Sequence, residues 1–275
     1  MEAAAKDDDY ELTEYEKTKR VLLLPLSLAR LALVFVLIHL TYLYSIVGNE
    51  TGIRRWFPLM SRFTLFLVGF YRVPVRGQHN LLEGQDANAI AVYNHVSVFD
   101  FLVLYGYVYP FSMVMNAGHG STYLFRHVAR KMKFVLVTTS PSARVDVAGG
   151  VDGPPRLGHG QTAKLLAHSG NMLAIAPEGK TTNGKALLPF RRGAFVPLRP
   201  ILPILLKYRY RHANIAWTHT SVVSTIWRAL GQFANHVSVE LLPVVHPEPD
   251  ETPGHFCERV RVIMATGLGV KMVST

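Results

Sequence analysis

A chain of 275 residues is long enough for one large α/β domain with a membrane segment beside it. Hydrophobic residues make up 49% and charged residues only 17%, against roughly 25% charged in soluble domains, so the chain crosses a membrane or lies against one. Its single cysteine, Cys257, excludes an intramolecular disulfide, and its net charge of +10 points to anionic partners.

Residues 1–16 carry seven acids and one lysine, which leaves about +16 on the remainder. This stretch reads as a disordered acidic tail. Lys17, Lys19 and Arg20 then precede an almost wholly apolar run from Val21 to Val47, interrupted early by Pro25 and Arg30. About 20 such residues suffice to cross a bilayer. The run starts too late, is too long and lacks the small-residue cleavage site of a signal peptide. Its apolar character favours a membrane or a phosphorylated ligand over nucleic acid as the target of the basic charge.

A second apolar stretch runs from Trp56 to Tyr71, broken by Pro58 and Arg62 and rich in aromatics, as an interfacial helix or re-entrant hairpin would be. Basic residues lie on both sides of the first run, so charge does not orient it, and both a crossing helix and a hairpin fit. Residues 17–72 are therefore expected to be membrane-anchoring helices, with the main domain over 73–275.

From Val73 the pattern alternates between strand and helix signals. Residues 89–93, 134–138, 172–176 and 201–206 read as buried strands, and 161–169 as a helix after a Gly/Pro-rich loop at 149–160. This alternation predicts an α/β fold, a mixed sheet flanked by helices, with its ligand site at strand ends.

Two loops after such strands carry chemistry. In Asn94-His95-Val96-Ser97-Val98-Phe99-Asp100, a histidine is followed five positions later by a carboxylate. On a regular helix that offset turns the side chains about 140° apart. The pair meets only if a turn intervenes and the helix starts inside the segment, with Asn94 or Ser97 as suitable N-caps. A carboxylate on one imidazole nitrogen fixes the tautomer and makes the other nitrogen a better base. His95 could then deprotonate a hydroxyl attacking a carbonyl. No nucleophile elbow is present, and Cys257 reads as a buried filler, so direct attack on an activated acyl group such as a thioester is the simplest scheme.

The second loop, Glu178-Gly179-Lys180-Thr181-Thr182-Asn183-Gly184, is rich in donors and is followed by Arg191 and Arg192. Lys180, Arg191 and Arg192 are candidates to hold a phosphate by charge-assisted hydrogen bonds. Asn94, Ser97 and Thr181 complete the expected substrate-binding set. Ala174 to Thr181 also approximates a nucleotide-binding P-loop. That loop needs glycines whose N–H groups wrap phosphates, whereas Pro177 has no N–H and Glu178 would repel the ligand.

The two loops resemble the first and third motifs of the glycerolipid acyltransferase superfamily. Leu188 to Phe195, Pro200 to Ile204, Ala216-Trp217-Thr218 and the end from Val237 to Val270 resemble in particular the lysophosphatidylcholine and lysophosphatidylethanolamine acyltransferases. The resemblance implies an acyl-CoA-dependent enzyme acylating a lysophospholipid at the endoplasmic reticulum membrane. Acyl-CoA would be its co-substrate, with no bound cofactor and no metal. It implies His95 as base, Asp100 as its partner, and Glu178 and Gly179 in the acceptor loop. Calcium control of the kind some relatives have is not expected. Three positions depart from the pattern. Ala176 stands where an aromatic is usual, Lys180 where threonine is usual, and the second-motif arginine is displaced, with Arg144 the nearest candidate. The alternatives are a lysophosphatidic acid or glycerol-3-phosphate acyltransferase and a lipid-surface scaffold that has lost catalysis.

Overall fold

The computed structural model describes residues 18–19, 21–116, 125–137, 156–157, 172–210, 214–218 and 221–273. The acidic tail, Arg144, and the expected loop and helix around 149–169 lie outside these, apart from the short strand at 156–157.

Two helices open the fold. Helix α1 spans Leu24–Val47 and begins with Pro25 in its first turn, where a missing N–H costs nothing. Helix α2 spans Glu50–Val68. Its N-cap Asn49 accepts from the Gly52 amide at 2.7 Å, and it ends on Gly69 at φ 106, a left-handed position that favours glycine. The helix runs through both Pro58 and Arg62, the residues that interrupt its apolar run. Its inner face, Ile53, Phe57, Leu65 and Val68, is buried and outweighs the local cost of Pro58.

The strands are β1 (Val75–Arg76), β2 (Ile90–Tyr93), β3 (Ser112–Asn116), β4 (Val135–Val137), β5 (Arg156–Leu157), β6 (Leu173–Ile175), β7 (Ala186–Leu187), β8 (Ile201–Arg209), β9 (His236–Leu241) and β10 (Lys271–Met272). Eight form one sheet in the order β1-β9-β8-β2-β6-β3-β4-β5, and β7 pairs with β10 separately. Among the described strands only β8 and β9 run antiparallel; the other pairings are parallel. Among the described residues the further α-helices are α3 (His79–Asp86), α4 (Asp100–Tyr107), α5 (Arg126–Lys131), α6 (Val222–Leu230) and α7 (Pro253–Leu268).

The central strands are buried on both faces, which is why they read as unbroken apolar runs. Ala91 and Tyr93 of β2, with Leu202, Ile204 and Leu206 of β8, join one core that includes Phe57, Tyr105 and Phe134. Ile90 and Val92, with Ile201 and Leu205, join a second core against Phe256, Val260 and Met264 of α7. Each fully buried side chain of this size contributes about 1.5–3 kcal/mol. Because α2 supplies Phe57 to the first core, this helix is part of the main domain's packing.

Candidate active site

Adjacent parallel strands β2 and β6 stand in register, Val92 opposite Ile175, so the loops that leave their carboxyl ends emerge side by side. One loop carries His95 and the other Glu178. They are laced together by backbone bonds. The His95 amide donates to Glu178 Oε1 at 3.0 Å, and the His95 carbonyl accepts from the Thr182 amide at 2.8 Å. A third segment closes over them, with the Trp217 amide donating to the Val96 carbonyl at 2.8 Å.

His95 and Asp100 meet. Nδ1 of His95 lies 2.7 Å from Oδ2 of Asp100. The helix starts at Asp100 itself, so the preceding residues turn and the helical 140° offset does not apply. The same Oδ2 also accepts from the amides of Val96, at 2.7 Å, and Ser97, at 3.0 Å. Asp100 therefore ties down the turn that precedes its helix. The N-cap is Phe99, with no side-chain cap, so the expectation that Asn94 or Ser97 caps the helix is corrected. Tyr208 completes the shell by donating from its hydroxyl to Oδ1 at 2.6 Å. Asp100 is fully buried, and four donors converge on it, the condition under which a buried carboxylate is tolerated. The His95 side chain is 26% exposed. With Nδ1 donating to the carboxylate, Nε2 is left as the basic nitrogen.

The structure uses several other expected substrate residues as scaffold. Asn94 is buried and lengthens the β2–β8 ladder with its side chain, donating to the Leu206 carbonyl at 3.0 Å and accepting from the Leu206 amide at 2.8 Å. Ser97 donates to the Ile215 carbonyl at 2.7 Å. Thr181 donates to the Trp217 carbonyl. Glu178 is buried and braces both sides of its loop, accepting from His95 through one oxygen and from the Leu188 amide, at 3.1 Å, through the other. Burial pushes its carboxyl up to about 7, against the pull of those two amides.

The exposed members of the expected set divide. Gly179 takes φ +69, and a Cβ there would lie 2.6 Å from Cζ and 2.9 Å from Cδ of Arg191. Only glycine lets the arginine lie across this turn. Lys180 is exposed on the same loop. Arg192 goes elsewhere. Its guanidinium lies beside Gly254 at the start of α7, in a pocket with Thr252, His255 and Glu258. The structure therefore brings Gly179, Lys180 and Arg191 together and does not bring Arg192 to them.

Cys257 is buried in α7, and burial pushes its thiol up to about 11. It is no nucleophile at neutral pH.

Sequence reasoning missed Tyr208. The strand that holds it was expected to end at residue 206 but runs to Arg209, which carries the ring to the Asp100 carboxylate. Tyr93 was missed as well. It closes β2 and sets its ring edge-on to His95, with centroids 6.0 Å apart.

The acyltransferase family profile matches residues 72–207, which hold both loops and β8 almost to its end. The lysophospholipid acyltransferase LPEAT2 of Arabidopsis thaliana is 27% identical, over 94% of this chain and 49% of that protein. The human lysophospholipid acyltransferase LPCAT4 is 32% identical, over 77% of this chain and 39% of that protein. Human lysophosphatidylcholine acyltransferase 1 is 30% identical, over 78% and 38%. The chain thus spans half or less of the length of these three relatives. Among solved structures, the 1-acyl-sn-glycerophosphate acyltransferase PlsC of Thermotoga maritima superposes with a TM-score of 0.62 at 15% identity, over 91% of this chain and 97% of that one, so the two share a fold. With its sheet, its paired loops and these relatives in common, the chain belongs to the acyltransferase family.

Proposed function

We propose that the protein transfers an acyl group from acyl-CoA to the free hydroxyl of a lysophospholipid. The observation that carries this reading is the partly exposed His95 ring held on a buried, four-donor carboxylate at the mouth of the sheet. Nε2 of His95 takes the proton of the acceptor hydroxyl as its oxygen attacks the thioester carbonyl. The tetrahedral intermediate expels the CoA thiolate, and His95 returns the proton to the leaving sulfur. Asp100 fixes the ring and stabilises the imidazolium formed between these steps, and such general base catalysis contributes about 10²–10⁴-fold. Lys180 and Arg191, both exposed beside the histidine loop, supply positive charge for the phosphate of the lysolipid or the phosphates of CoA.

In this reading the enzyme works on a membrane, with the endoplasmic reticulum the expected one. Helix α1 holds an 18-residue window of mean hydropathy 2.0 and is about 36 Å long at 1.5 Å per residue. Length alone would let it cross. Its tethers favour lying along the bilayer surface. Near its start, Ser27 and Arg30 donate to the Leu230 carbonyl, at 3.2 and 3.1 Å. At its end, Lys131 donates to the carbonyls of Ile46 and Gly48. A helix bound to one globular domain at both ends stays beside it, with α2 as the returning arm of a hairpin.

The test is to incubate the full chain, in phospholipid vesicles, with acyl-CoA and a panel of lysophospholipids that includes lysophosphatidic acid. The expected result is CoA release matched mole for mole by a diacyl product. CoA release without acylated lipid, or no release with any acceptor, would overturn the reading.

A further inference from the structure

Helix α6 carries an exposed apolar face in addition to the one it buries. It buries Thr225, Ala229 and, at its end, Leu230, all fully enclosed. Ile226 also packs on the core, but two bulky apolar side chains point out. Val223 is 75% exposed and Trp227, one turn on along the same face, is 38% exposed. Phe233, just past the helix end, is 65% exposed. In a soluble protein the large residues of such a helix would face the core.

This face adjoins the apolar side of α1 and α2. The junction is Arg30, a buried cation in the middle of an apolar run, which the proposed reaction does not use. Its Nη1 donates to the carbonyls of Leu230, at 3.1 Å, and Gln232, at 2.6 Å, and its Nη2 to that of Phe233, at 3.0 Å, and to the Tyr71 hydroxyl. One guanidinium thus satisfies three carbonyls around the end of α6 and fastens them to α1. The rings continue the surface: Phe233 lies 6.1 Å from Tyr71, and Tyr71 lies 5.2 Å from Phe66 of α2. Arg72, exposed next to Tyr71, offers a cation at the edge.

We infer that α6 and Phe233 form a second membrane contact, seated at the headgroup–acyl boundary of a phospholipid bilayer. The occupant is lipid because the patch is continuous with the exposed apolar side of α1, including Leu24, Leu28 and Leu31. Its tryptophan, its aromatics and the flanking arginine are also the mixture that settles at that boundary. The inference rests on the proposed membrane seating of α1. A single line of helix lets a domain roll about it, whereas a second contact fixed to the first by Arg30 sets the tilt of the catalytic face toward the bilayer.

Spin labels on single cysteines in a Cys257→Ser background test this. Val223→Cys, Trp227→Cys and Phe233→Cys probe the patch, Phe35→Cys probes α1, and Leu82→Cys is an exposed reference on α3. The full chain is bound to phosphatidylcholine vesicles carrying a minority of phosphatidylserine. Collision with oxygen relative to a water-soluble nickel chelate is expected to be several-fold higher at the three patch sites than at Leu82, and higher still at Phe35. If Phe35 reads as lipid while the patch reads as water, the second contact is refuted and the seating of α1 stands. If all sites read as water, the seating itself fails and the inference falls with it. Patch labels that become immobilised without vesicles as protein concentration rises would assign the face to a protein partner, against the inference.

Discussion

The hydroxyl of Tyr208 donates to Oδ1 of Asp100 at 2.6 Å, across 108 residues of sequence, while the other oxygen of the same carboxylate holds His95 at 2.7 Å. In the proposed mechanism Tyr208 is thus a positioning residue that acts on His95 through Asp100. Tyr208→Phe keeps the ring in its packing against Phe70 and removes one donor. The cost of leaving a buried acceptor short is about 1–3 kcal/mol of stability. Turnover should fall about tenfold, the equivalent of about 1.4 kcal/mol in the barrier, with KM for both substrates little changed. Steady-state kinetics beside an unfolding curve separate the two effects. A change confined to KM would remove Tyr208 from this role.

Asp100→Asn keeps the shape of the side chain and loses its charge. The amide has one acceptor oxygen for the two backbone N–H groups and the histidine N–H that now share Oδ2. The ring loses its orienting anion, and kcat should drop about 10²–10⁴-fold while the variant still binds vesicles and folds. Near-normal turnover would break the link between this pair and the chemistry.

How far these residues could be read in advance depends on where their partners lie. The strands before His95 and Glu178 were legible because both faces of each are buried, which leaves unbroken apolar runs. The meeting of His95 and Asp100 needed only local reasoning, since a turn is the one way to close a five-residue offset. Asn94, Ser97 and Glu178 were harder. In sequence they are polar residues in a loop, which reads as ligand binding. Their actual partners are backbone groups of Leu206, Ile215 and Leu188, two of them more than 100 residues away. Arg191 and Arg192 are neighbours in sequence and were expected to work together. The short 3-10 turn that begins at Arg192 sends the two side chains to different places.

Glu178→Gln tests the brace between the loops. A glutamine has one acceptor oxygen for the two amides of His95 and Leu188, so its –NH2 must face one of them, at a cost of about 1–3 kcal/mol. The pH dependence is a sharper readout. Burial raises this carboxyl from 4.5 to about 7, so between those values the folded state holds a proton that the unfolded state releases. Its contribution to stability is complete below about pH 4.5 and is lost as pH rises through about 7, a change of about 3 kcal/mol at most. Urea midpoints of the wild type should therefore decline over this window from the Glu178 contribution, and the glutamine variant should show a flatter profile. Equal slopes in the two proteins would contradict the assignment.

Arg191→Ala and Arg192→Ala should separate. Arg191 lies across the Gly179 turn of the loop that meets His95, whereas Arg192 faces the start of α7. Losing a charge-assisted hydrogen bond of about 1.5–3 kcal/mol should raise KM for a substrate about 10–100-fold in Arg191→Ala. The Arg192 variant should keep the KM of the wild type. Equal effects from both would restore the two-arginine anion site that their adjacency in sequence suggests.

The central claim is that His95, held by Asp100, is the base that activates the acceptor hydroxyl. The most direct measurement compares wild type and His95→Ala for acyl transfer from acyl-CoA to the best lysophospholipid acceptor, with equal amounts of each protein bound to vesicles and matching circular dichroism spectra. The account predicts a kcat at least about 10²-fold lower in the alanine variant, with vesicle binding unchanged. A folded, membrane-bound His95→Ala protein that turns over at the wild-type rate would contradict it.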